Sequence, residues 1–230
     1  MFPATFFDFN GVLVNDESVH FETFREVLLP LGVSLSEEDY LSRYLGYDDA
    51  GAFTAVLKDA GRTPSAAQIA ELIETKRPLY MQRARAALPT FAGAAELVKR
   101  RAKAGPALVV SGALRDEVEL GLELLGVRAD IMTIISAEDT QACKPDPEGY
   151  LIAMRWLTER GQESQARRAL VIEDSLAGVE AAKAARLACV AVAHTYSARE
   201  LSGAGADAVA QALVDIDDAF LAALFRKLHG

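Results

Sequence analysis

The second half of the chain alternates short apolar runs with longer amphipathic segments, and this alternation restricts the fold more than any other feature of the sequence. The apolar runs are continuous and rich in β-branched residues, and they lie at 107–111, 131–135, 169–173 and 187–192. Such runs are typical of strands buried on both faces of a sheet. The intervening segments carry helix-forming residues at helical spacing, and they lie at 113–125, 147–160 and 175–185. Strand and helix in alternation predict a parallel sheet.

Two further apolar runs extend the predicted sheet. Residues 5–8 predict a first strand, and residues 208–210 predict a short edge strand before a final helix that begins at about Asp215. The chain has 230 residues, which exceeds the ~150 of an ordinary domain. The length therefore predicts one domain with an insertion.

The insertion lies between the first two strands. Residues from about 17 to 87 contain few β-branched residues and no strand-like run, and prolines and glycines interrupt their helical patterns. A long crossover connection is the alternative, but roughly seventy residues exceed what a crossover helix needs. We therefore expect a separate helical domain at 16–87 and a core formed by 1–15 and 88–230.

The charge balance and the cysteines exclude several kinds of partner. Lysine and arginine total 24 against 33 acidic residues, a net charge of −9, so neither nucleic acid nor a membrane surface is an expected partner. Cys143 and Cys189 match no metal-ligand spacing and are expected to be small buried hydrophobic residues in a reducing compartment. The first residues lack the basic start of a signal peptide. We expect a cytoplasmic protein that is a monomer or a weak dimer.

Polar residues end several of the predicted strands. They are Asp8, Ser111, Glu173 and Asp174. In an open parallel sheet, ligands bind beyond the carboxyl ends of the strands, so these residues are candidates for a functional site. Buried carboxylates need partners or a metal, and acidic strand ends that face one crevice indicate a shared cation. The alternative is that each residue caps the helix that follows it.

The same residues belong to four motifs in a fixed order. They are Asp8-Phe-Asn-Gly-Val-Leu, Ser111 after Leu-Val-Val, Lys144 in Cys-Lys-Pro-Asp-Pro, and Glu173-Asp174-Ser-Leu-Ala-Gly-Val-Glu-Ala-Ala. In these motifs the chain resembles the haloacid dehalogenase superfamily, most of whose members are magnesium-dependent phosphotransferases. The resemblance implies an α/β fold with a doubly wound, Rossmann-like parallel sheet of strand order 5-4-1-2-3. It also implies that the insertion is an α-helical cap, as in phosphoglycolate phosphatases and β-phosphoglucomutases.

This strand order places the first and fourth strands side by side and implies a metal site. Asp8 and Asp174 would then meet as hard oxygen ligands for Mg²⁺. By the resemblance, the backbone carbonyl of Asn10 also binds the metal, and Glu173 is an outer ligand. Asp8 is then the nucleophile that becomes an aspartyl-phosphate.

The resemblance also implies how the phosphoryl group is held. Lys144 would neutralise the nucleophile and the phosphoryl oxygens. The hydroxyl of Ser111 and the amide of Gly112 would bind a phosphoryl oxygen. Because phosphoryl transfer needs mainly positioning and charge neutralisation, these residues form a nearly complete set.

Asn10 departs from the family pattern. Phosphatases of the family usually carry a second aspartate here, which protonates the leaving oxygen and then takes a proton from water. A neutral amide exchanges no proton at working pH, and loss of a positioned acid or base could cost ~10²–10⁴-fold in rate. Slow or substrate-assisted turnover, a substitution that traps an intermediate, and binding without turnover are the three interpretations. A true haloacid dehalogenase also lacks the second aspartate, but the acidic pair at 173–174 argues against it.

The inserted helices carry candidate substrate contacts. His20 could exchange protons or orient a substrate hydroxyl, and a solvated or capping histidine is the alternative. Lys76 resembles basic residues that mutase caps present to substrate, and a solvated helical face is the alternative. Tyr47 and Asp49 lie where those mutases have a specificity loop with a basic phosphate-binding residue. A carboxylate there would repel a second phosphate, which disfavours a bisphosphate-based mutase.

The function that these features favour is Mg²⁺-dependent hydrolysis of a phosphomonoester, a small phosphorylated metabolite, through an aspartyl-phosphate on Asp8. A β-phosphoglucomutase-like phosphomutase and a non-catalytic protein that binds phosphate esters are the alternatives. His194 and His229 are expected to be structural or surface residues.

Overall fold

A computed structural model describes every residue of the chain, which divides into two compact units. The first unit consists of Met1–Asn15 and Pro89–Gly230, and the second of Asp16–Leu88. The first unit contains a six-stranded sheet. Its strands are β1 (Thr5–Phe7), β2 (Ala107–Val110), β3 (Thr133–Ile135), β4 (Leu170–Glu173), β5 (Ala188–Val192) and β6 (Ala208–Ala210).

All neighbouring strands of the sheet are parallel, and their order is β3-β2-β1-β4-β5-β6. The predicted α/β class and the predicted order of the first five strands are confirmed, and β6 adds the expected edge strand. The register pairs Phe7 with Val109 on one side and with Ile172 on the other. The residues that follow these three strands therefore leave the sheet at the same edge.

The second unit is built from helices and contains no strand. Its helices are α1 (Glu17–Leu28), the single turn α2 (Glu37–Asp39), α3 (Asp49–Asp59) and α4 (Ala66–Ala86), with a π-helical turn at Tyr40–Tyr44. Ser65 begins α4 with a capping box, since its hydroxyl accepts from Gln68 N and the Gln68 side chain accepts from Ser65 N. Phe24, Phe53 and Ile69 belong to a core that this unit forms by itself.

Seven helices accompany the sheet in the first unit. They are α5 (Ala94–Ala104), α6 (Arg115–Leu124), α7 (Glu148–Thr158), α8 (Glu163–Arg167), α9 (Leu176–Ala184), α10 (Ala198–Gly203) and α11 (Asp218–His229). The final helix starts later than the expected Asp215, because the side chain of Asp217 accepts from Phe220 N and caps it there. Helix α5 was not predicted, although its buried Leu97 and Val98 lie on one face. None of the helices has the length and apolar character that crossing a membrane requires.

The sheet is buried by a core that includes one of the two cysteines. Phe6, Leu108, Val171 and Cys189 are fully buried in it. Cys143 is exposed, so the expectation of a buried hydrophobic residue is wrong there. Its position explains the difference, because Cys143 lies in the loop before α7 rather than in a strand.

Candidate active site

The chain leaves β1 at Asp8 and enters a tight turn. The backbone N–H of Asp8 donates to the carbonyl of Ile172 at 2.9 Å, which holds this residue beside the end of β4. Gly11 follows with φ 74°, in the left-handed region, and a Cβ atom there would lie 2.1 Å from Oδ2 of Asp174. Glycine is therefore required for the turn to pack against this carboxylate. The motif contained Gly11, but only the packing reveals why it is needed.

Three carboxylates meet at this edge of the sheet. Asp8, Glu173 and Asp174 are buried, and each contributes an oxygen atom to a group in which all atoms lie within 4.8 Å of one another. The parallel register of β1 and β4 produces this arrangement, because both strands end at the same level. The predicted carboxylate ligands of the metal site are thus placed together.

Lys144 joins two of these carboxylates. Its Nζ atom lies 2.6 Å from Oδ1 of Asp8 and 2.6 Å from Oε1 of Glu173, and it also donates to the carbonyl of Val110 at 3.2 Å. Burial alone would lower the pKa of this lysine, but the two facing carboxylates raise the pKa above its ordinary value. The ammonium group therefore stays charged and can neutralise a phosphoryl group beside Asp8.

Glu173 is held by hydrogen bonds on both oxygens. Oε1 accepts from Lys144 and from the hydroxyl of Tyr150 at 2.8 Å, and Oε2 accepts from Asp174 N at 3.0 Å and from the hydroxyl of Ser175 at 3.1 Å. Burial opposes ionisation, yet Lys144 and these donors keep the pKa of Glu173 below its usual value. A Cβ atom at Gly178 would lie 1.9 Å from Oε1, so this glycine also makes room for the carboxylate. Glu173 thus orients Lys144.

The oxygen cluster has too little positive charge for its carboxylates and fits a divalent cation. Burial raises the pKa of Asp8 to about 7, with Lys144 opposing the rise and Glu173 adding to it. Burial, together with the charges of Glu173 and Asp8, raises the pKa of Asp174 well above its ordinary value. A bound cation would supply the missing positive charge. The donor atoms are hard oxygens, which suit Mg²⁺.

Ser111 and Asn10 are joined directly. The hydroxyl of Ser111 donates to Oδ1 of Asn10 at 3.3 Å and accepts from Ala113 N at 3.1 Å. Gly112, the predicted amide donor, is exposed beside them. The structure thus places the second motif next to the turn that follows β1, within the same unit as the carboxylate cluster.

Two residues that follow β5 contact the site although they belong to none of the four motifs. His194 was expected to be structural or on the surface, and its Nδ1 atom lies 2.9 Å from the carbonyl oxygen of Gly11. The hydroxyl of Thr195 donates to Oδ2 of Asp174. A polar pair one residue after a buried strand was the available signal, because polar residues also follow the first, second and fourth strands.

The second unit brings together three of the four substrate-contact candidates that were predicted in it. Nζ of Lys76 lies 2.9 Å from Nδ1 of His20 and 2.7 and 2.8 Å from the two carboxylate oxygens of Asp49. His20 presents Nε2 to Asp16 at 3.2 Å. Lys76 is fully buried, so the solvated alternative is wrong for it, and its partners explain how a charged group can be buried there. Tyr47 is 55% exposed.

Comparison with known proteins identifies relatives along most of the chain. The family model for haloacid dehalogenase-like hydrolases matches residues 5–192. The validoxylamine A 7'-phosphate phosphatase of Streptomyces hygroscopicus subsp. limoneus is 30% identical over 217 residues, which cover 89% of this chain and 92% of that protein. The chloroplastic protein Suppressor of quenching 1 of Arabidopsis thaliana is 32% identical over 211 residues, 88% of this chain. The chain spans only 19% of the length of that second relative.

Solved structures share the fold. A crystal structure of β-phosphoglucomutase from Clostridium difficile superposes with a TM-score of 0.84 and covers 99% of both chains at 18% sequence identity. At this identity the likeness establishes the architecture alone.

Proposed function

Since the chain belongs to the haloacid dehalogenase-like hydrolase family, we propose that it transfers the phosphoryl group of a small phosphorylated sugar or related metabolite to water through Asp8. The observation that carries this proposal is the contact of Lys144 with Asp8, a buried carboxylate paired with an ammonium group at a strand end. A relative that aligns over nearly its whole length is a phosphatase of validoxylamine A 7'-phosphate, which supports a phosphate ester as the substrate.

In the first step an oxygen of Asp8 attacks phosphorus, the ester P–O bond breaks, and the alcohol oxygen leaves. Lys144 neutralises negative charge on Asp8 and on the transferred group, and Glu173 keeps the ammonium group in place. The hydroxyl of Ser111 and the amide of Gly112 bind a phosphoryl oxygen. Phosphoryl transfer depends mainly on such positioning and charge neutralisation.

In the second step water attacks the aspartyl-phosphate and restores the Asp8 carboxylate. This water must lose a proton, and the leaving oxygen of the first step must gain one. The side chain of Asn10 forms a hydrogen bond with Ser111 but exchanges no proton. We therefore expect slow hydrolysis and accumulation of the aspartyl-phosphate whenever the leaving group needs little protonation.

Mg²⁺ would be held by Asp8, Asp174 and the backbone carbonyl of Asn10. When bound, it supplies positive charge to the phosphoryl oxygens and favours the ionised form of Asp8. Glu173 acts on Lys144, because hydrogen bonds from protein groups already engage both of its oxygens.

A second candidate function is binding of a phosphate ester without turnover, which the amide of Asn10 favours. A phosphomutase is the third, and it differs from a hydrolase because the phosphoryl group passes to a second substrate oxygen and no phosphate is released. One assay separates the three, because they differ in phosphate release and in the chemical identity of the product.

The test is a panel of sugar monophosphates, sugar bisphosphates and p-nitrophenyl phosphate, incubated with and without Mg²⁺. Phosphate release and new phosphorylated products are measured for the unmodified protein and for Asp8→Asn. Hydrolysis that requires Mg²⁺ and disappears in Asp8→Asn supports the proposal. Asp207→Asn is the matched control, because Asp207 pairs with Lys183 away from the cluster. Equal activity of Asp8→Asn and the unmodified protein would contradict the role of Asp8.

A further inference from the structure

The segment that leaves β5 contacts the carboxylate site through two consecutive residues. The imidazole of His194 reaches the carbonyl oxygen of Gly11, and the hydroxyl of Thr195 reaches Oδ2 of Asp174. Gly11 also packs directly against the Asp174 carboxylate. The same carboxylate is thus bounded by the turn after β1 and by the hydroxyl after β5.

His194 is anchored on its ring face as well as at its nitrogen. The ring stacks on Phe91 with centroids 3.8 Å apart and an interplanar angle of 10°. Phe91 N donates to the carbonyl of Leu13 at 3.3 Å, and Val14 pairs with Thr90. The histidine therefore contacts Gly11 within the turn after β1 and Phe91 in the segment that pairs with the end of that turn. Because a carbonyl oxygen only accepts, Nδ1 carries the proton that it donates to Gly11.

We propose that His194 and Thr195 are positioning residues for cation binding at the cluster of Asp8 and Asp174, an inference that rests on the proposed function. The Thr195 hydroxyl fixes the rotation of the Asp174 carboxylate and occupies one of its oxygens, so the other oxygen faces the cation in a defined orientation. His194 holds the Gly11 peptide. The turn between Asp8 and Gly11 then keeps the Asn10 carbonyl at a constant place.

Neither side chain takes part in the chemical steps, so the readout must report on the cation rather than on rate alone. Calorimetric titration with Mg²⁺ in the absence of substrate measures this directly. Hydrogen-bond partners of metal ligands typically change metal affinity by about 10- to 100-fold when they are removed. Thr195→Val keeps the shape of the side chain and removes the hydroxyl, and we expect a loss of Mg²⁺ affinity in this range. Thr195→Ser restores the hydroxyl and is expected to bind nearly as the unmodified protein does.

A matched pair separates the two contacts of His194. His194→Phe keeps a ring against Phe91 and removes the donor, whereas His194→Asn keeps a donor near the Nδ1 position and removes the stack. Loss of one neutral hydrogen bond corresponds to roughly a three- to tenfold change in affinity. We expect this loss of Mg²⁺ affinity in His194→Phe and a smaller one in His194→Asn.

Thermal unfolding of each variant shows whether it is folded, and Thr158→Val, a hydroxyl removal on the exposed part of α7, controls for nonspecific effects. Unchanged Mg²⁺ affinity in folded Thr195→Val and His194→Phe would overturn this inference and leave the proposed function standing. Absence of Mg²⁺ binding to the unmodified protein would overturn both. If Thr195→Val fails to fold, equal affinities of His194→Phe and His194→Asn would still refute the role of the donor.

Discussion

Nζ of Lys144 lies 2.6 Å from Oδ1 of Asp8, although the two residues are 136 positions apart in the chain. Lys144 comes from the loop before α7, and Asp8 from the end of the first strand. Because Glu173 holds the same ammonium group at 2.6 Å, the lysine has little freedom to leave. This contact therefore opposes the rise that burial causes in the pKa of Asp8, the proposed nucleophile, and it fixes the place where a phosphoryl group can be neutralised.

Replacing Lys144 by methionine should remove most activity and lower stability. The rate of phosphate release should fall by about 10²–10³-fold, as when one preorganised charge-stabilising donor is lost. The free energy of unfolding should fall by about 3–5 kcal/mol, since two buried carboxylates would lose their cation. Lys183→Met is the control, because Lys183 forms a partly exposed ion pair with Asp207. Activity of Lys144→Met equal to that of this control would refute the assignment.

Gly11→Ala should abolish Mg²⁺ binding, and backbone strain alone should not account for this loss. The added methyl group would lie 2.1 Å from Oδ2 of Asp174, so the carboxylate or the turn must move. Gly161 has the same φ of 74°, and no atom lies within 4 Å of the place that a methyl group would take there. Gly161→Ala therefore measures the effect of backbone strain alone. Calorimetry and thermal unfolding of both variants check this. Retained Mg²⁺ affinity in Gly11→Ala would show that the contact with Asp174 is unimportant.

Stability without metal should decrease as pH rises through the acidic range. The folded state raises the pKa of Asp8 from 3.8 to about 7, so it binds a proton that the unfolded chain has already lost. The stabilising contribution of Asp8 is fully present below the pKa that this residue has in the unfolded chain. It is lost as pH rises through the pKa that the residue has in the folded protein. In Asp8→Asn this position does not titrate. In urea unfolding, the free energy of unfolding of the unmodified protein minus that of Asp8→Asn should therefore fall as pH rises from about 4 to 7. Saturating Mg²⁺ should remove this slope.

Much of the first unit could be predicted because its strands are buried on both faces. The runs that contain Val109, Val171 and Val190 have no polar alternation, and that pattern indicates a parallel sheet. The family resemblance then supplied the strand order, from which the meeting of Asp8 and Asp174 followed. Helix α5 was missed although its buried residues share one face, because it lies between the inserted helices and the first of the alternating apolar runs.

The polar pair after β5 marked this segment in the sequence, but its contacts could not be predicted from the residues alone. His194 and Thr195 match none of the four motifs, and their importance depends on the direction in which the chain leaves the strand. The burial of Lys76 could not be predicted either. A charge on a helix is ordinarily solvated, and Lys76 is buried because Asp49 and His20 meet it from other helices. Contacts of this kind depend on how the strands and helices pack in three dimensions.

Asn10→Asp should convert a slow enzyme into a faster one. With p-nitrophenyl phosphate the leaving group needs little protonation, so the unmodified protein should give a burst of p-nitrophenol followed by a weak steady state, as hydrolysis of the aspartyl-phosphate limits turnover. The added carboxylate can take the proton from water, and the steady-state rate should rise by at least ~10²-fold. Asn10→Ser, which also lacks a carboxylate, should give no such gain. Because Asn10 precedes Gly11, mass spectrometry must exclude deamidation in aged samples. A folded, Mg²⁺-bound Asn10→Asp protein without activity on the whole panel would favour phosphate-ester binding without turnover.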